Sequence, residues 1–156
     1  MWEIWAAVIG AVGAVAAAVI TVIFGSGRRR EPLVGRIESP RSGERVPRSF
    51  LVDGTLSRKI PRGRHVWLAV QLGNLLFPKE PEIPRGDRHW EQAIVEGGDP
   101  PGGSFSIALL MVDRNGHRAI EEWLERGRGG EGFPGMEEIP GSEKLSVVRQ
   151  LTLDDA

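Results

Sequence analysis

Between Ile4 and Phe24 the chain carries no charged side chain. A helix needs about 20 apolar residues to cross the hydrocarbon core of a bilayer, and Trp2–Phe24 (WEIWAAVIGAVGAVAAAVITVIF) supplies them. The run is apolar on every side, and 156 residues leave room for one modest domain beside it, too small to wrap such a helix in its own core. Trp2 and Trp5 stand at one end, where indole rings favour the membrane interface, and Arg28, Arg29 and Arg30 stand at the other. Basic residues flanking a span stay in the cytoplasm, so the expected topology is N-terminus outside and the rest inside. A cleaved signal peptide fits poorly: Glu3 is the one charge ahead of the run, and the arginines follow it. The expectation is a single-pass cell-membrane protein: a transmembrane helix over residues 2–24, a basic linker over 25–32, and a cytoplasmic domain over 33–153.

Small residues recur along the apolar run. Ala6, Gly10, Ala14 and Ala18 stand four apart, a spacing that lets two helix backbones approach closely. The row points to self-association or to pairing with another membrane helix; an Ala-rich span with chance spacing gives the same pattern. The linker GSGRRREP holds the domain near the bilayer, because an extended chain spans only about 3.3 Å per residue. Arg28, Arg29 and Arg30 can meet anionic headgroups there, although a topology signal accounts for them equally well.

Past the linker the composition changes. Most of the 21 Gly and all but one of the 11 Pro lie there, which favours many turns and short strands over long helices. The predicted strands are Leu33–Glu38, Ser49–Leu56, His65–Leu72 with a short extension at Asn74–Phe77, Trp90–Val95, Ser104–Val112 and Lys144–Leu153. In His65–Leu72, Val66, Leu68 and Val70 alternate against Trp67, Ala69 and Gln71; in Lys144–Leu153, Leu145, Val147, Arg149 and Leu151 alternate against Ser146, Val148, Gln150 and Thr152. Trp90, Gln92 and Ile94 do not alternate cleanly by polarity. Asp113–Gly116 (DRNG) reads as a turn. His117–Arg126 reads as one helix, with Ile120, Trp123 and Leu124 at i, i+3 and i+4, stopped by Gly127, Gly129 and Gly130.

The layout resembles a bacterial immunoglobulin-like domain. The residues that carry the likeness are IESPRSGERV leading into FLVDGTL, then HVWLAVQ with Trp67 in mid-strand, Phe77–Pro78, Trp90, and SFSIALL. The resemblance implies a mostly β fold, a sandwich of about seven strands with one short helix added, and a strand tryptophan at its centre. It departs from the eukaryote-like subclass in having neither a Cys pair nor any Tyr. The fold says little about function, since it hosts unrelated activities.

Several chemistries are excluded or unsupported. With no Cys there is no disulfide, thiolate nucleophile or Cys-based zinc site. With Arg28, Arg29, Arg30 and Glu3 set aside, the 20 basic and 21 acidic side chains become 17 and 20, about −3 net, unlike a nucleic-acid binder. His65, His89 and His117 stand far apart, so a metal site would need folding to join them to acidic partners. Gly102–Ser106 has the wrong order for a nucleophile elbow, and Asp113–Gly116 lacks the remaining ligands of a calcium loop. Glu121, Glu122 and Glu125 read as a solvated helix face. Trp67 and Trp90 read as core residues, with a sugar-stacking platform as their other role. The expected function is a non-catalytic, membrane-anchored module that binds a protein partner, with no cofactor, metal or nucleic acid. The alternative is an extracytoplasmic ligand- or carbohydrate-binding module, which requires the opposite topology.

Overall fold

The computed structural model describes residues 31–97 and 103–154. In order these form β1 (Gly35–Ser39), β2 (Arg45–Val46), β3 (Ser49–Leu56), β4 (His65–Leu72), β5 (Leu75–Lys79), β6 (His89–Val95), β7 (Ser104–Val112), α1 (Arg114–Arg126) and β8 (Ser142–Leu153). The chain is mostly β, with one α-helix among the described residues. The expected membrane helix over 2–24, its row Ala6, Gly10, Ala14 and Ala18, and Arg28, Arg29 and Arg30 lie outside the described residues. Among the described residues no helix is long and apolar enough to cross a membrane.

The strands form two sheets. One has three strands in the order β1-β3-β6, all antiparallel. The other has five in the order β2-β8-β7-β4-β5, antiparallel except for the parallel pair β2–β8. Their inner faces share one core. Phe50, Val52, Leu56, Trp90 and Ile94 come from the smaller sheet; Val66, Leu68, Val70, Phe105, Ile107, Leu109, Val148 and Leu151 come from the larger. This follows from period-2 patterning, which sends alternate side chains to one face.

The larger sheet buries its outer face as well. Ala69 and Ala108 are direct cross-strand partners there. Their small side chains let α1 lie close, so that Ile120, Trp123 and Leu124 pack with Trp67, Leu110, Val112, Leu76 and Ile139 in a second cluster. This differs from the expectation that Trp67 fills the centre between the sheets. Val66, Leu68 and Val70 already take the inner face, so Trp67 faces the helix, and Trp90 is the tryptophan of the inter-sheet core. The indole of Trp90 lies over Gly54, its cross-strand partner; a Cβ on Gly54 would meet the ring at 2.4 Å.

Four further differences have physical causes. Trp90, Gln92 and Ile94 do alternate, all three pointing inward; Gln92 is buried because its Nε2 donates to the Lys79 carbonyl at 3.1 Å, tying β6 to β5. Residues 113–116 are a helix start rather than a free turn. Asp113 Oδ1 accepts from the backbone N–H of Asn115 and of Gly116, both at 2.9 Å, which is an N-cap. Gly116 fits inside the first turn because a Cβ there would meet the Pro140 carbonyl at 2.2 Å. In β8 the simple alternation breaks: the register slips between Phe105–Leu151 and Ile107–Val148, and Gln150 has φ 57. The bulge turns both Val148 and Leu151 into the core, against the alternation read from the sequence. Finally, β2 is too short to show any period.

Candidate functional site

Two adjoining features lie around β5, β6 and α1. The first is the outer edge of β6. Glu96 N–H donates to Arg48 O at 2.8 Å, and Leu56 N–H donates to Arg88 O at 2.7 Å. In an antiparallel ladder these bonds alternate, so Trp90, Gln92 and Ile94 bond toward β3 while the backbone of Glu91, Ala93 and Val95 points away. Lys79 Nζ donates to the Val95 carbonyl at 3.4 Å and pairs with Glu96 at 3.2 Å, which covers one end of that edge. Among the described residues no strand pairs beyond it.

Beside this edge runs a groove of about 480 Å³. Phe77–Glu80 of β5 and its following turn form one bank, and Ala93–Glu96 form the other. Trp123, Leu124 and Phe133 complete it. Trp123 is held by its Nε1–H to the Pro134 carbonyl at 2.7 Å and by the tilted Phe133 ring at 5.1 Å. Round the corner, nothing among the described residues covers the outer face of the smaller sheet. Leu51 is 58% exposed and Val95 65%, and Leu51 pairs directly with the exposed Ala93. These make a small apolar patch next to the groove.

The second feature is a cluster of titratable groups at the other end of α1. His65 begins β4 on the face that carries Trp67. His117 sits in the first turn of α1, on the stripe that carries Ile120 and Leu124. Glu82 is delivered by the β5–β6 loop: Ile83 is buried in the core and its N–H donates to Val66 O at 2.8 Å. His65 Nδ1 and Glu82 Oε2 lie 2.8 Å apart, and His117 Nδ1 lies 3.6 Å from the same oxygen. The two imidazoles stack at 3.6 Å, within 6° of parallel. Trp67 Nε1–H donates to His117 Nδ1 at 3.3 Å, and His117 Nε2 lies 3.2 Å from Glu121 Oε1. An indole nitrogen only donates, so His117 Nδ1 is an acceptor and its proton sits on Nε2, facing Glu121. A shallow depression lined by Trp67, Glu80, Glu82, Glu121, Leu124 and Arg128 adjoins the cluster, and an Arg128–Glu80 ion pair separates it from the groove.

His65 and His117 stand far apart in the sequence, and folding joins them. The third histidine, His89, stands exposed on β6. Trp67 and Trp90 are both buried, at 4% exposure, so neither offers a flat platform to a sugar. Of Glu121, Glu122 and Glu125, only Glu121 reaches a histidine. No motif spacing flags the cluster, because its members come from a strand, a loop and a helix. The one available signal was His117 standing three residues before Ile120, on the helix's apolar stripe.

No protein-family model matches the chain, and no curated protein matches it.

Proposed function

We propose that the chain is a single-pass membrane protein whose residues 33–153 form an immunoglobulin-like β-sandwich. On this reading the domain is a non-catalytic interaction module in the cytoplasm. It takes an extended segment of a protein partner along the outer edge of β6. The observation that carries the reading is that free edge: backbone N–H and C=O groups of Glu91 and Ala93 point outward, beside an apolar groove and the exposed Leu51 and Val95. An added strand would bond to the backbone there and place a side chain in the groove. The anchor rests on the uncharged run Trp2–Phe24, the sidedness on Arg28, Arg29 and Arg30, and self-pairing of the anchor on Ala6, Gly10, Ala14 and Ala18.

The test uses the full chain in intact cells. A photo-crosslinking side chain at Val95 should yield a discrete adduct, and the same group at Glu122, on the solvent side of α1, should not. Ala93→Pro removes an outward N–H that β3 does not use, so it should abolish the adduct while the domain stays folded. A band at twice the chain mass would make the partner a second copy. Equal labelling at Val95 and Glu122 sinks the edge reading. A C-terminal reporter on the non-cytoplasmic side sinks the topology.

A further inference from the structure

We propose that His65, Glu82 and His117 form a site for a divalent transition metal, with zinc as the fitting ion. This goes beyond the interaction reading and does not depend on it. The three ligand atoms, His65 Nδ1, Glu82 Oε2 and His117 Nδ1, all lie within 4.8 Å of one another. In a tetrahedral zinc site with bonds of 2.0–2.1 Å, neighbouring ligand atoms stand about 3.3 Å apart. The observed separations from Glu82 Oε2, 2.8 Å to His65 and 3.6 Å to His117, bracket that edge.

The proton arrangement points the same way. His65 Nδ1–H can donate to Glu82, which would suffice for that pair alone. His117 cannot join in. Its Nδ1 accepts from the Trp67 indole and so carries no proton to donate to the carboxylate oxygen 3.6 Å away. Two acceptor atoms this close with no proton between them leave a place that a cation stabilises, the ion taking over the His117 lone pair from the Trp67 N–H. The far side of His117 is also built as metal-bound histidines usually are: Nε2 faces the Glu121 carboxylate at 3.2 Å, which fixes the tautomer and makes Nδ1 the better donor to a metal. Imidazole with carboxylate is a zinc donor set, and three protein ligands leave a fourth position for water. Solvent reaches the site, since the His65, His117 and Glu82 side chains are 16%, 19% and 36% exposed.

Binding has one structural consequence. An ion bonds an imidazole in the plane of the ring, and two rings stacked within 6° cannot both direct lone pairs at one ion. Zinc must therefore fan the rings apart by rotation of their side chains. It would then join β4, the β5–β6 loop and α1 through a single atom.

The experiment is titration of the full chain, purified in detergent micelles, with Zn²⁺ against a competing chromophoric chelator. The expected result is one Zn²⁺ per chain and a rise of about 5 °C in the melting midpoint at saturating zinc. His65→Ala, His117→Ala and Glu82→Gln should each weaken binding at least tenfold. Glu121→Gln should weaken it about tenfold by freeing the His117 ring, and His89→Ala should leave it unchanged. Imidazole ¹⁵N shifts in the unmodified protein guard against variants that fail to fold: Nδ1 of His65 and of His117 should move with zinc, and both nitrogens of His89 should stay. Absence of saturable binding, or binding that leaves the His65 and His117 shifts in place, overturns the proposal.

Discussion

The outer faces of the two sheets make opposite use of similar strands. On the larger sheet, Trp67, Leu110 and Val112 are roofed by α1, and the paired Ala69 and Ala108 leave the space that the roof occupies. On the smaller sheet, Leu51 also pairs with an alanine, Ala93, yet nothing among the described residues covers them. The difference teaches how to read an alanine in a strand. Opposite a helix it sets a distance of approach, and on an open face it keeps a surface flat. A surface that stays flat and apolar beside a free edge is suited to contact with another chain.

Three substitutions test this contrast. Trp123→Ala should have the largest effect. It removes the main side chain of the roof, its bond to Pro134 O and its contact with Phe133, and should cost about 3–5 kcal/mol in chemical denaturation. A loss under about 1 kcal/mol would mean that α1 is not what stabilises the outer face of the larger sheet. Next comes Ala108→Leu, which forces extra volume beneath the helix and should cost about 1–3 kcal/mol. The smallest effect belongs to the matched change Ala93→Leu on the bare face, which should stay within about 0.5 kcal/mol of the parent. If Ala108→Leu and Ala93→Leu destabilise equally, the two faces do not differ in the way described.

Much of this architecture was legible in the sequence, and the reasons differ by element. Ser49–Leu56, His65–Leu72 and Ser104–Val112 begin and end where their residues do as read, because turn residues bracket each run. Which face of His65–Leu72 met which neighbour was not legible: both of its faces are apolar, and periodicity alone cannot say that Trp67 looks at a helix. In β8 the bulge at Gln150 defeated a rule that assumes a constant period. At residues 113–116, Asp113 served as a helix cap although the same four letters suit a turn, because an Asp side chain can bond the following backbone in either setting. The histidine–glutamate cluster was invisible for a different reason. His65 and Glu82 are 17 residues apart, and their meeting depends on Ile83 entering the core, which no local pattern encodes.

The path of β1 and β2 beside β8 has a mechanical consequence. The start of β1 lies against Leu145 near the beginning of β8, as the close approach of Gly35 to that side chain shows. From there the chain runs alongside β8 in the same direction. Gly43 N–H donates to Arg149 O, Thr152 N–H to Glu44 O, and Asp154 N–H to Val46 O. From Leu145 to Leu153 is about 26 Å at 3.3 Å per residue, so Gly35 and Leu153, the outer ends of the first and last strands, stand at opposite poles. Tension between those poles would slide β1 and β2 along β8 rather than peel them from it. Sliding strains these bonds together, whereas peeling would break them one after another.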